Sequence, residues 1–278
     1  MQSNNLLDIK RRINSIKSTQ KITKAMELIS ISKLRSAREI YEKNESYFHE
    51  MESLMKKIFY ISRNEMSKLK EEREGGEKLF IVISSDSGLC GSFNGQALDY
   101  IDKEYGKEDI EVMWIGKRAI SYIKKYKLTS YKNYERKDIE EKVQEIVNEC
   151  VHLFKDEKFN EISLVYVKYI SSIRQKVTEE KLLPFKYEEE EIDEVYSKNA
   201  DKKTLLEEGI RRYLKMKLLQ VLLNSKVSEE SLRMQAMNGA AKNADEMIKS
   251  LSITYNKIRQ SNITREISEI VSGAEAQK

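Results

Sequence analysis

The sequence predicts an α/β fold with a long coiled coil: N- and C-terminal helices pair as an extended coil, and a central Rossmann-like parallel-sheet domain lies between them in sequence. Three observations carry this. From Thr204 to about Ser272 the chain has no proline and only Gly209 and Gly239 as glycines, so a continuous helix there would be about 100 Å long at roughly 1.5 Å per residue. In its second half apolar residues alternate in steps of four and three at Met237, Ala241, Ala244, Ile248, Leu251, Tyr255 and Ile258, the spacing of a seam between supercoiled helices. The middle instead carries short apolar, β-branched runs, which read as buried parallel strands.

The N-terminal helix is expected to start near Asn4 or Asn5, either of which can cap the free amides of a first turn. It meets no glycine or proline until Gly75. Ile9, Ile13 and Ile16 form a narrow stripe, and Ile22, Ala25, Met26 and Ile29 are read as turning it around the cylinder. Leu34, Ala37, Tyr41, Phe48, Met51, Met55 and Ile58 offer a seam to match that of the C-terminal helix, antiparallel or side by side. The KLRSARE segment, with Lys33, Arg35 and Arg38, suits a helix end emerging into water.

Gly75 and Gly76 break the helical pattern, and LFIVIS (79–84) reads as the first strand. A glycine-rich turn, SDSGLCGSFNG (85–95), precedes a helix to about Tyr105. IEVMWIG (110–116) reads as a second strand before the helical run KRAISYIKKY. Glu140 to Phe154 gives a further helix, EISLVYVKYIS (161–171) a long strand, and Leu182 to Tyr187, with the sole proline, an edge strand. Strand, turn, helix and strand in this order imply a crossover in a small parallel sheet. The expected divisions are residues 1–74, 75–195 and 204–278.

Composition narrows the function. Charged residues make up 35% and no apolar run reaches eighteen residues, so no membrane span is expected. The opening MQSNNLLDIKRR lacks an apolar stretch followed by a small-residue cleavage site, so no presequence is expected. Cys90 and Cys150 read as packing residues. His49 and His152 stand apart from any ligand constellation, and no metal is expected.

Met1 to Lys43 holds ten Lys or Arg against four Asp or Glu, which fits a solvated helix face or an acidic partner surface. No nucleic-acid module accompanies this charge, so nucleic acid is not an expected partner. Gly88, Gly91 and Gly95 follow the first strand, where a phosphate-binding turn would sit. Their spacing is neither GxGxxG nor GxxxxGK[ST], and no cofactor is expected. No nucleophile elbow is present, and the chain is not expected to be an enzyme. A stiff coil that carries torque, an adaptor bridging two proteins, and a nucleotide-binding enzyme centred on the middle domain are the readings in play.

The run ESLRMQAMNGAAKNADEMIKSLSITYNKIRQSNITREISEIVSGA (230–274), taken with DIKRRINSIKSTQKITKAMELISISKLRSARE (8–39), resembles the gamma subunit of F-type ATP synthases. The likeness extends over nearly the whole chain. It implies a noncatalytic central-stalk rotor turning within an alpha3-beta3 catalytic ring, with an epsilon subunit and a membrane c-ring driven by proton or sodium flow as further partners. It further implies a bacterial protein peripheral to the cytoplasmic side of the plasma membrane. By the same resemblance Met26 faces the ring, Arg259, Gln260 and Thr264 contact loops of a catalytic subunit, and Glu266 supports them. SDSGLCG resembles the family's SDRGL(C/A)G, with Ser87 in place of the usual arginine. Tyr196 matches a tyrosine of the foot on the rotor ring, although Ser197 and Lys198 replace the usual Glu-Pro.

Overall fold

The computed structural model describes residues 2–73, 75–106, 110–119, 128–137, 139–186 and 201–275, with the backbone alone for 2–5 and 119. The chain divides into two compact units, one of Met1–Ser30 with Met234–Lys278 and one of Ile31–Arg233. The terminal helices α1 (Gln2–Ile61) and α4 (Lys202–Glu275) supply residues to both.

The smaller unit is an antiparallel pair of helical segments. Gln20 donates to Asp245 at 3.4 Å and Asn238 donates to Glu27 at 2.6 Å, so ascending positions on α1 meet descending ones on α4. The α4 side of the seam is the expected one, with Met237, Ala241 and Ala244 buried and Ile248, Leu251, Tyr255 and Ile258 half-buried. Its partner differs from the expectation. The stripe meets the first thirty residues of α1, not Leu34 to Ile58.

The α1 face does not turn either. Ile9, Ile13 and Ile16 continue through Gln20, Thr23, Glu27 and Ser30, all buried or half-buried, while Ile22 and Ile29 are exposed at 58% and 54%. Polar side chains that hydrogen-bond across the seam can hold heptad positions, because pairing offsets their desolvation. Side-chain polarity therefore does not mark the outer face here. Nor does α1 start at Asn4 or Asn5: it begins at Gln2, which places both asparagines within the helix. KLRSARE is likewise mid-helix, where Arg35 pairs with Glu39 and Arg38 with Glu42 on the solvent side.

The larger unit is a five-stranded sheet of order β3-β2-β1-β4-β5, flanked by helices. The strands are β1 (Lys78–Ile83), β2 (Ile110–Ile115), β3 (Thr129–Tyr134), β4 (Glu161–Tyr169) and β5 (Gln175–Leu183), and the helices between them are α2 (Phe93–Tyr105) and α3 (Ile139–Lys155). β1, β2, β3 and β4 run parallel, and β5 closes one edge antiparallel to β4. The central strands β1, β2 and β4 are buried almost throughout, which is why they are continuous apolar runs in the sequence.

β3 had no such signal. TSYKNY lies at the other edge and buries only Tyr134, so its side chains are mostly polar. The edge strand expected at 182–187 is instead β5, a hairpin partner that ends at Leu183, and Tyr187 is outside the described residues. Of the helical run KRAISYIKKY, a 3-10 turn covers Lys117–Ala119 and the rest is outside the described residues.

One face of the sheet packs against α3 and the two long helices. Leu206, Ile210, Leu214 and Leu218 of α4 join Met55 and Ile58 of α1, Val143, Ile146 and Phe154 of α3, and Leu79, Ile81 and Leu164 of the sheet. The two long helices run antiparallel here too. Lys217 lies over the Phe48 ring, Gly209 faces Met55 and Ile58, and the Ser62 hydroxyl donates to the Lys202 carbonyl. α1 stops at Ile61 rather than continuing to Gly75, with the Ser62 amide closing its last turn on Ile58. The opposite face holds α2 against Phe80, Val112 and Trp114.

Candidate functional site

Two regions are candidates for a functional site, one in each unit. In the smaller unit, Met26 is half-buried beside the seam, whereas Arg259, Gln260, Thr264 and Glu266 are all exposed near the C-terminal end of α4. The Thr264 hydroxyl donates back to the Gln260 carbonyl at 2.9 Å, so this polar residue costs the helix no unpaired group. From Ile263 to Glu275 every described residue is exposed, including Ile263, Ile267, Ile270 and Val271. The register explains this: if Glu27 lies opposite Asn238, the first residue of α1, Gln2, lies opposite about Ile263. Met26 is therefore well separated along the seam from the other four site residues.

In the larger unit the turn after β1 is a junction. Asp86 accepts three backbone N–H groups, from Lys117 after β2 and from Arg136 and Lys137 after β3, each at 3.1 Å. One carboxylate thereby ties together the carboxyl ends of three parallel strands. Gly116, at φ +111°, lets the chain after β2 pass directly against Ser84. The turn is pinned internally by Asn94, whose side-chain oxygen accepts the Ser85 amide at 2.9 Å and whose amide donates to the Ser85 hydroxyl at 2.8 Å. Cys90 is buried beside them.

α4 docks on this edge through charge. Arg136 donates to Glu229 at 2.9 Å, to the Leu222 carbonyl at 3.1 Å and to the Ser84 carbonyl at 3.3 Å. Arg233 donates to Glu229 at 2.6 Å and to the Ser87 hydroxyl at 3.0 Å, and its other nitrogen pairs with Glu230 at 2.8 Å. Burial pushes the Arg136 guanidinium below its ordinary value against the pull of Glu229 and Asp86. Burial also works to raise the Glu229 carboxyl, but Arg136, Lys226 and Arg233 outweigh it and hold it below the usual carboxylate range.

The same helix covers the place where an open α/β sheet most often takes a ligand, the crevice where strand order reverses between β1 and β4. Asn224 accepts the Tyr169 amide at the end of β4, Arg233 reaches Ser87 after β1, and Leu232 packs against Cys90, Phe93 and Val167. Gly88, Gly91 and Gly95 therefore surround a turn clamped to α4. Ser87 stands where an arginine was expected, and its partner Arg233 comes from within the chain.

Sequence reasoning did not find Asp86, Arg136, Glu229 or Arg233. The available signal was a switch in α4 from apolar to charged residues, KVSEESLR at 226–233, inside a stretch that is otherwise amphipathic. His49 and His152, expected to stand alone, each meet one carboxylate on the surface, Glu52 and Asp156. Among the described residues no group of three or more His, Cys, Asp or Glu could hold a metal ion, and no helix is long and apolar enough to cross a membrane.

One unit is thus an antiparallel heptad seam, and the other a sheet clamped by buried charge onto α4. The family model described as ATP synthase matches residues 5–277. The ATP synthase gamma chain of Clostridium perfringens (strain 13 / Type A) is 44% identical over 278 residues, covering 98% of each chain. That of Clostridium novyi (strain NT) is 40% identical over 282 residues, again 98% of each.

Among solved structures, a chain of the Euglena gracilis mitochondrial ATP synthase, OSCP/F1/c-ring, in rotational state 3 superposes with a TM-score of 0.71 at 15% identity, over 99% of this chain and 95% of that one. A chain of the Tetrahymena thermophila mitochondrial ATP synthase central stalk/c-ring gives 0.61 at 21% identity, over 79% and 99%. At those identities the likeness speaks for the fold alone. The chain belongs to the ATP synthase gamma-chain family, the noncatalytic stalk subunits of that enzyme.

Proposed function

We propose that this chain is the central rotor shaft of a bacterial F-type ATP synthase, peripheral to the cytoplasmic side of the plasma membrane. Its partners in this reading are the alpha and beta subunits of the catalytic ring, an epsilon subunit and the membrane c-ring. The observation that carries the reading is the end of α4, where thirteen consecutive residues, Ile263 to Glu275, are exposed as helix with apolar side chains among them. A lone helix in water buries too little surface to be stable by itself, so a surrounding assembly accounts for it.

Arg259, Gln260, Thr264 and Glu266 supply the polar contacts to a catalytic subunit, and Met26 a contact to the ring from the α1 side. Such a shaft works by differential contact. The faces of the coil are chemically unequal, so each catalytic subunit meets a different surface and a different one of its conformations is favoured. Rotation, driven by ion flow through the membrane ring, exchanges those surfaces and with them the nucleotide states.

Isolation of the native complex under mild detergent tests this. Co-purification of the chain with a large ATP-hydrolysing assembly is the expected result. Recovery only as a free monomer or homodimer would sink the shaft reading and favour a two-protein adaptor.

A further inference from the structure

We infer that Arg136, Glu229 and Arg233 are positioning residues for rotational coupling, which fix the angular setting of α4 against the carboxyl edge of the sheet in the larger unit. The inference rests on the rotor reading above and names the side chains that would carry part of it.

α4 meets the sheet unit in two ways. Over 206–222 it offers Leu206, Ile210, Leu214, Leu218 and Val221 to an apolar core. Such contact is strong but non-directional, and packed helices can shift on it by small sliding steps. Over 222–233 it changes to charge. The side chains of Arg136, Glu229, Glu230 and Arg233 are 7%, 2%, 1% and 8% exposed.

Stability alone does not explain that change. Desolvating two guanidinium and two carboxylate groups offsets most of their attraction, and apolar side chains of similar volume commonly serve as well or better. Direction is what the charged cluster adds. The Arg136 fork reaches the Ser84 carbonyl on the sheet edge, the Leu222 carbonyl of α4 and the Glu229 carboxylate together. Planar, multidentate bonds of this kind are satisfied in one geometry.

The anchor on the sheet side is also fixed. Arg136 follows β3, and its own amide is held by Asp86, which binds the ends of β2 and β3 to the turn after β1. Arg233 adds a second directional tie from α4 to that turn at Ser87. Turning α4 about its axis would break the Arg136 bonds to Glu229 and Leu222 and the Arg233 bond to Ser87 together and take Glu229 away from the buried Arg136 guanidinium, at a cost that apolar packing does not impose.

The test uses the complete ATP synthase carrying a variant of this chain in sealed vesicles, with protons pumped per ATP hydrolysed as the coupling readout. The double variant Arg136→Met/Glu229→Met removes one opposite-charge pair from the cluster. It is expected to assemble and keep ATP hydrolysis, while the pumping ratio falls by about twofold or more. A second variant, Glu229→Gln, keeps the shape of the side chain and is expected to lower the ratio likewise.

A merely structural cluster predicts a lower melting temperature for Glu229→Gln, recovery of that temperature in the double variant, and a wild-type ratio in both assembled complexes. A wild-type ratio in either assembled variant overturns the inference. Failure of the unaltered chain to join such a complex would instead overturn the rotor reading beneath it.

Discussion

Asn238 donates a 2.6 Å hydrogen bond to Glu27, and one heptad further along α4 Asp245 accepts from Gln20, which lies one heptad back along α1. Equal and opposite steps fix both the antiparallel direction and the register of the smaller unit. A polar pair at a seam position specifies register at some cost in stability. Asn238→Ala removes the donor facing a half-buried carboxylate and should weaken this coil by about 1 kcal/mol. Amide exchange should quicken in α1 before Ser30 and in α4 after Met234, with the sheet unchanged.

Gly116 sits at φ +111°, and a Cβ there would fall onto the carbonyl and hydroxyl oxygens of Ser84. Backbone strain and the clash act together, because the Gly116 amide is committed to the Tyr134 carbonyl at 2.8 Å and the chain cannot swing away. Gly116→Ala should destabilise the larger unit by about 2–3 kcal/mol. Urea unfolding followed by far-UV circular dichroism measures this, and an unchanged midpoint would contradict the tight passage of β2 against β1.

Tyr100 and Tyr105 both donate to Glu179, at 2.8 and 2.9 Å. Burial, then the bond to Glu179, pushes the Tyr100 phenol from 10.0 up to about 12. Folded-state values above the unfolded one mean that the stabilisation is intact below about pH 10 and is lost as pH rises through the folded value. Glu179→Gln removes the carboxylate charge, so tyrosinate absorbance attributable to this pair should appear at lower pH than in the unaltered chain. An unmoved titration would show that Glu179 is not what holds these phenols neutral.

Cys150 is buried in α3, and burial raises its thiol to about 12. The thiolate is the reactive form, so a thiol reagent at about pH 8 should label Cys150 only as the fold opens. Labelling should be slow in buffer and complete in denaturant. Rapid stoichiometric labelling of Cys150 in buffer would contradict its placement against the sheet.

The parts of the fold legible in the sequence were those where burial is symmetric and apolar. β1, β2 and β4 announce themselves because both of their faces are covered, and the α4 stripe from Met237 to Ile258 because its seam residues are nearly all apolar. What escaped is what polar side chains do once paired. Gln20, Thr23, Glu27 and Ser30 occupy seam positions and look like surface, while Ile22 and Ile29 look like seam and are exposed.

The choice of seam partner could not be read from one helix either, since Leu34 to Ile58 and Ile9 to Ser30 carry the same spacing. Arg136 and Glu229 lie far apart in sequence and signal nothing until the fold joins them. For the candidate contact residues, the resemblance supplied the positions; Arg259 and Gln260 are exposed because they point away from the seam, and Thr264 and Glu266 lie beyond the stretch opposite α1.

Arg259 and Gln260 lie on successive exposed positions of α4, at the level where the seam ends with half-buried Ile258 and Asn262. Neither side chain is needed to pack the coil, so Arg259→Ala/Gln260→Ala should change the unfolding free energy of the isolated chain by no more than about 0.5 kcal/mol. Exposed arginines that anchor interfaces lose their contribution when truncated. In the assembled enzyme the double variant should therefore lower ATP-driven pumping by roughly threefold or more relative to hydrolysis. Both sides of that comparison matter: a variant that unfolds would assign the pair to the coil, and one that pumps normally would remove it from the contact surface. Restoring Arg259 alone should recover most of the coupling, because its guanidinium offers several directed donors where Gln260 offers one amide.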